Sequence, residues 1–154
     1  MSHSESDSHD PASDPQLQSL GQTLDVLAPI RRHRLTLAEQ AWRRHRQVLE
    51  ALRQRLDSLH AGLQRLQHEF RQSRQEQREQ HANRPLPLSE MNDWLAAERQ
   101  AMRQIEEHQR RVNNLQDEHR QQQQWTEDSH QELRRRQRDV EKLDYLLDMT
   151  RKAS

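Results

Sequence analysis

The sequence contains no cysteine, so neither a disulfide framework nor a thiol nucleophile is available to it. Aromatic and apolar residues are also scarce, at 3% and 30% of 154 residues, with one Phe, one Tyr and three Trp. A globular domain of this length needs a larger apolar core than these residues can supply. No apolar run approaches the roughly 18 residues of a membrane-spanning helix. The opening Met1-Ser2-His3-Ser4-Glu5-Ser6-Asp7 lacks the basic and apolar parts of a secretory signal peptide, so the expected compartment is the cytosol. Net charge is zero, and an excess of basic charge that would mark a general polyanion binder is missing.

Glycine and proline are few and confined. Gly occurs only at 21 and 62, and Pro at 11, 15, 29, 85 and 87. What fills the rest is Leu, Arg, Gln and Glu, which lose little rotamer freedom in a helix. With 32% charged residues and a mean hydropathy of -1.39, two solutions are open: disorder, or an extended coiled coil whose seam needs only two apolar residues in seven. Disordered chains of this polarity usually carry more Gly, Pro and Ser. The expected fold class is therefore all-α, a long two-helix antiparallel coiled-coil hairpin with a disordered N-terminal tail.

Residues 1–16 are mainly Ser, Asp and His with two prolines, and read as that tail. Residues 17–30 read as a short amphipathic segment carrying Leu17, Leu20, Leu24 and Leu27, which Pro29 should end or kink. The first coiled-coil helix is expected over 31–82. Alternate steps of three and four residues from Leu35 reach Ala38, Trp42, His45, Leu49, Leu52, Leu56, Leu59, Leu63, Leu66 and Phe70. Ten of these eleven positions are apolar, a mean spacing of 3.5 residues held over five heptads, as a left-handed coiled-coil seam requires.

Two prolines in Asn83-Arg84-Pro85-Leu86-Pro87-Leu88 break the helix, and 83–89 are expected to form the hairpin tip, with Ser89 as N-cap of the next helix. The second helix, 90–150, carries Met91, Trp94, Ala101, Ile105, Val112, Leu115, Leu133, Val140, Leu143 and Leu147 at seam spacing. Polar residues interrupt that seam at Glu98, His108, His119, Gln122, Thr126, Ser129 and Arg136. An 11-residue near-repeat (Glu106-Glu107-His108, Asp117-Glu118-His119, Asp128-Ser129-His130) favours a straighter helix. A fold about residue 86 sets Leu49 and Leu52 against Gln122 and His119, an uneven match. At 1.5 Å per residue the helices would be roughly 80 and 90 Å long.

No phosphate-cradling glycine loop, nucleophile elbow or thiol is present, and no ionisable group falls in an expected pocket where burial could shift its pKa. The expectation is a protein that is not an enzyme and uses no cofactor and no metal. His108, His119 and His130 share a helix face but lie about 16 Å apart in succession, too far for one metal ion. They read as polar seam layers, with a pH-sensitive seam as the sharper alternative. His45 and His130 are placed to meet across the hairpin.

Charge is uneven. Residues 31–55 hold eight Arg against two Glu, whereas 1–30 hold five acids and neither Lys nor Arg. A solvated helix face explains this, and so does a basic surface for an acidic protein partner. The candidate contacts on it are Arg31, Arg32, Arg43, Arg44 and Arg46. Nucleic acid is not an expected partner, because no aromatic platform or known binding module accompanies the charge. Trp42 and Trp94 fall in the seam. Trp125 lies outside it among glutamines, and with Leu86, Leu88, Met91 and Trp94 at the tip it completes the candidate contact residues.

Two stretches carry a resemblance. Leu27-Ala28-Pro29-Ile30-Arg31-Arg32-His33-Arg34-Leu35-Thr36-Leu37-Ala38-Glu39-Gln40-Ala41 resembles the opening of the YscO-like proteins of bacterial type III secretion. Leu88-Ser89-Glu90-Met91-Asn92-Asp93-Trp94, followed by Gln100 to Glu107, resembles the start of the same family's second helix. The order of helix, break and Trp-bearing helix extends the likeness over 27–150; a longer acidic tail and Pro29 depart from it. The resemblance implies a cytosolic stalk similar to flagellar FliJ and, in fold, to the coiled coil of the rotary ATPase gamma subunit. Its partners would be the secretion ATPase, an export-gate protein and export chaperones, and it would reach the membrane only through them. A monomeric hairpin is expected. The alternative is a generic tether that self-associates in parallel through the Leu49 to Phe70 seam.

Overall fold

The computed structural model describes residues 15–153; the expected tail at 1–16 lies outside them except for Pro15 and Gln16, which belong to the first helix. Two helices account for nearly all of these residues: α1, Pro15–His81, and α2, Leu88–Ala153. No helix among the described residues is long and apolar enough to cross a membrane. The described residues pack in two units, a terminal unit of residues 15–46 with 125–153 and a tip unit of residues 47–124.

In the terminal unit, buried or half-buried positions on α1 recur at 17, 21, 24, 28, 31, 35, 38, 42 and 45, and on α2 at 126, 129, 133, 136, 140, 143, 147 and 150. Both series alternate three and four, the spacing that keeps one stripe facing a partner helix. The pairing is antiparallel. Gly21 meets Thr150, Thr126 donates to the His45 carbonyl at 3.3 Å, and Leu24 and Ala28 cluster with Leu143 and Leu147. Each of these seam layers joins residues whose numbers sum to 171.

This register corrects the expected boundary at 17–30. α1 passes through Pro29 without a break and keeps its seam back to Leu17. Pro29 is exposed, and the carbonyl it deprives of a hydrogen bond belongs to exposed Asp25, where water can satisfy it. The seam takes Gly21 and Ala28 in place of the larger Leu20 and Leu27. These small residues let α2 approach, so that Leu143 is fully buried beside Ala28. Leu27 packs on this cluster from the flank, and Leu20 stays exposed.

The tip unit follows the same spacing, with 49, 52, 56, 59, 63, 66, 70 and 77 on α1 and 94, 98, 101, 105, 108, 112, 115, 119 and 122 on α2. Val112, Leu115 and Leu63 are buried there. Here too the 3-4 seam, and not the 11-residue near-repeat, sets which face of α2 is covered. The connection is 82–87, shorter than expected, because α2 starts at Leu88. The Pro87 carbonyl accepts from the Met91 amide at 3.0 Å, so Pro87 occupies the cap position and Ser89 is already inside the helix. Glu90 remains in the first turn, where its charge opposes the helix dipole.

Candidate functional site

Apart from Met91, the apolar residues expected in the seam are buried or half-buried: Leu35, Trp42, Leu133, Val140, Leu143 and Leu147 in the terminal unit, and Leu49, Leu52, Leu56, Leu59, Leu63, Leu66, Phe70, Ile105, Val112 and Leu115 in the tip unit. The stripe from Leu49 to Phe70 is therefore covered by α2 and not presented as a free surface for a second copy. The contact candidates are what remain.

Five of them come from the basic stretch of α1, in the terminal unit. Arg31 occupies a seam position, half-buried, and its Nη1 donates to the Asp139 carbonyl at 3.3 Å. Arg32 sits one residue further round, on a flank, and reaches Asp144 on α2 at 3.0 Å. Both partners of that pair are more than half exposed, which limits it to a few tenths of a kcal/mol up to about 1 kcal/mol. Arg43, Arg44 and Arg46 are exposed. Arg46 lies over Trp42 with its guanidinium carbon 4.7 Å from the ring centroid. Trp42 also stacks on His130 from α2, with ring centroids 5.0 Å apart and planes 23° from parallel.

A cation, an indole and an imidazole thus form a column across the two helices, which the sequence reading did not anticipate. It paired His130 with His45. The 171 register instead gives the His45 layer to Thr126, while His130, one residue past the seam position Ser129, lies on the flank where Trp42 meets it. Trp125 is 51% exposed, beside this unit's seam and not in it.

At the tip, the structure brings Leu86 and Trp94 together and leaves Leu88 and Met91 apart from them. Leu86, Trp94, Gln77, Arg78 and His81 line an open cleft of about 310 Å³. Leu88 is 74% exposed and Met91 also faces outward, so Met91 leaves the seam in which its spacing had placed it. The helix α1 ends at His81, and beyond the Gln77–Trp94 level it offers Met91 only exposed Gln80.

Polar seam residues of α2 are answered within each unit. In the tip unit Glu98 meets Arg74 at 3.0 Å and the Glu98 carboxylate is largely covered. His108 Nε2 lies 2.9 Å from the Leu59 carbonyl, which can only accept, so that nitrogen carries the proton. The His108 ring fills the space that a side chain at Gly62 would take. Gln122 is the one buried polar residue among those described, and no buried side-chain polar atom lacks a partner. On the surface of the tip unit, the Arg53 hydrogen bond at 2.9 Å holds the Glu50 carboxyl below its usual value and raises Arg53 in turn.

Among the described residues no three His, Asp or Glu side chains come together as a metal site. The arrangement offers helix flanks, an aromatic–cation column and a tip cleft, surfaces suited to recognition. Compared with models of protein families, curated proteins and solved structures, the chain has no match.

Proposed function

We propose that this chain is a non-enzymatic coiled-coil connector, and that it acts as a cytosolic stalk of a bacterial type III secretion system between the secretion ATPase and the export gate. The observation that supports it most is the pairing of α1 with α2, layer by layer, in both units. Two helices of 67 and 66 residues hold nearly every described residue. What such a pair offers a partner is its flanks and its ends.

The local likeness of residues 27–41 and 88–107 to YscO-like proteins supplies the biological setting. In that setting the terminal unit contacts the ATPase through Arg43, Arg44 and Arg46. An asymmetric helix pair inside a ring of identical subunits touches only some of them at once and so biases assembly or turnover. The tip, with Leu86, Leu88, Met91 and Trp94, faces the export gate or receives an export chaperone.

The test is a pull-down of the purified chain against the secretion ATPase of its own host, with ATP turnover read alongside. Saturable binding that raises turnover is expected. Reversing Arg43, Arg44 and Arg46 to Glu should weaken that binding at least tenfold while circular dichroism stays helical, since exposed cationic patches mainly set encounter and orientation. Binding that survives the reversal overturns the assignment of the basic end. No binding by a helical protein overturns the stalk reading.

A further inference from the structure

Val26 and Tyr145 face outward from the terminal unit, but most of its other apolar residues outside the seam gather on one flank. Arg32 and Asp144 each follow a seam position by one residue, Arg31 and Leu143, and their contact defines one flank of the helix pair. That flank is polar throughout, with Gln18, Asp25, Glu39 and Arg46 on α1 and His130, Gln137 and Arg151 on α2 beside the Arg32–Asp144 pair. The residues that precede seam positions lie on the other flank. There α1 presents Leu20, Leu27 and Ile30, and α2 presents Leu146 and Met149. All but Leu27, which packs partly on the core, are exposed.

Leu20, Leu27, Ile30 and Leu37 repeat at heptad-compatible spacing. α1 therefore carries a second stripe beside the one that α2 covers. A stripe with this period is shaped to receive another helix. Antiparallel pairing places Leu27 within two residues of the level of Leu146 and Leu20 within two of Ala153, so both helices contribute to one patch at the end of this unit.

Charge along the same flank says what fits. Beyond the patch, α1 carries Arg34 and Arg44 on it and no acid, while α2 carries Asp139, Glu132 and Asp128 at the corresponding levels, together with Arg135 and Lys142. Arg135 is engaged by Glu132 at 3.7 Å. Glu132 also holds Arg136 at 2.7 Å and Asp139 approaches Arg136 at 3.8 Å, so the α1 row is wholly basic and the α2 row, with three acids to two bases, is weakly acidic. A two-fold axis parallel to the helices lays α1 of one copy over α2 of the other. The two patches then cover each other, Arg34 falls over Asp139 and Arg44 over Asp128. Such a two-fold contact is self-complementary and closed.

We infer that the terminal unit is a homodimerisation surface: a second copy of this chain packs, parallel and two-fold related, on the flank bearing Leu20, Ile30, Leu146 and Met149, to make a four-helix bundle. This contact uses a different face from the Leu49 to Phe70 seam and does not rest on the secretion reading, with which it shares Arg44. Its occupant is the chain itself, so its test needs no other protein.

Sedimentation equilibrium of the full chain should show a mass twice 18.6 kDa that falls toward the monomer on dilution. Leu20→Glu with Met149→Glu, both at exposed positions, should give the monomer mass at every loading with unchanged circular dichroism. Because the chain has no native cysteine, Thr23→Cys with Met149→Cys should form a covalent dimer under mild oxidation. Gln22→Cys with Asp148→Cys, on the opposite flank, should not. A monomer at high concentration overturns the inference and leaves the apolar flank to a different protein. A dimer that resists the double Glu substitution, or that cross-links through positions 22 and 148, overturns the assigned face.

Discussion

Replacing Gly62 with alanine sets two effects of similar size against each other in the tip unit. Alanine is favoured over glycine inside a helix by about 1 kcal/mol, because glycine gives up more backbone freedom on folding. The new methyl group, however, would sit 2.9 Å from His108 Nε2 and 3.1 Å from its Cε1, closer than ordinary contact. The ring must swing away, surrendering its 2.9 Å hydrogen bond to the Leu59 carbonyl, a loss of about 0.5–1.5 kcal/mol net. That carbonyl keeps its helical partner, so no bare acceptor is left to add a larger penalty. The two effects nearly cancel, so the substitution alone should leave stability within about 0.5 kcal/mol of the parent. In a His108→Ala background the ring is gone and the same substitution should stabilise by about 1 kcal/mol. The double-mutant cycle, read from urea unfolding followed by far-ultraviolet circular dichroism, should give a coupling of about 0.5–1.5 kcal/mol. Equal stabilisation in both backgrounds would refute the argument, since it would mean that the His108 ring does not occupy the space at Gly62.

Leu143→Ala should cost about 2–5 kcal/mol, the range for a leucine truncated in a packed interior, because Leu143 is fully buried; Leu88→Ala, at 74% exposure, should stay within about 0.5 kcal/mol, and thermal melts of both check the contrast. Gln122→Leu should raise the unfolding midpoint, because a leucine in the layer facing Leu49 replaces a buried amide; a loss of about 1 kcal/mol or more would show that the amide's hydrogen bonds hold the layer. Glu50 should titrate below an ordinary glutamate by NMR and return to the usual value in Arg53→Ala. Its folded value is depressed, so its contribution is present above the unfolded value and lost as pH falls through the folded one. Solvent screening keeps that contribution small, and an unshifted midpoint would remove the ion pair from the account.

The hairpin was legible because period survives substitution. From Leu35 to Phe70 the 3-4 steps land on apolar residues in all but one case, and the fold axis near residue 86 follows from the two prolines. The start of α1 was not legible for a related reason. Leu17, Leu20, Leu24 and Leu27 also step 3-4-3, and the eye follows the large residues. The structure instead threads the seam through Gly21 and Ala28, which leave room for Thr150 and Leu143, and moves Leu20 and Leu27 to the flank. Pro29 misled in the same way, since its cost depends on whether the carbonyl it orphans can reach water, a property of the packed helix. The Trp42–His130–Arg46 column was missed because a flank contact depends on a one-residue offset that periodicity does not report.

The polar layers of α2 explain why an uneven seam still pairs in one register. A seam of leucines alone could slip by a heptad and keep apolar residues opposed throughout. In the tip unit, a shift of seven residues would bring Leu115 to the level of Leu63 in place of His108, and move the His108 ring off Gly62 to the level of Phe70. The ring would then lose its acceptor and the glycine would face a gap. Glu98, mostly covered by its contact with Arg74, would lose that partner at the same time. In the terminal unit the shift would separate Gly21 from Thr150 and Arg32 from Asp144. The covered groups among these, His108 and Glu98, are left unsatisfied in the slipped register, and burying an unpaired polar group costs about 1–3 kcal/mol. The polar residues therefore weaken the hairpin in its own register and weaken every competing register more.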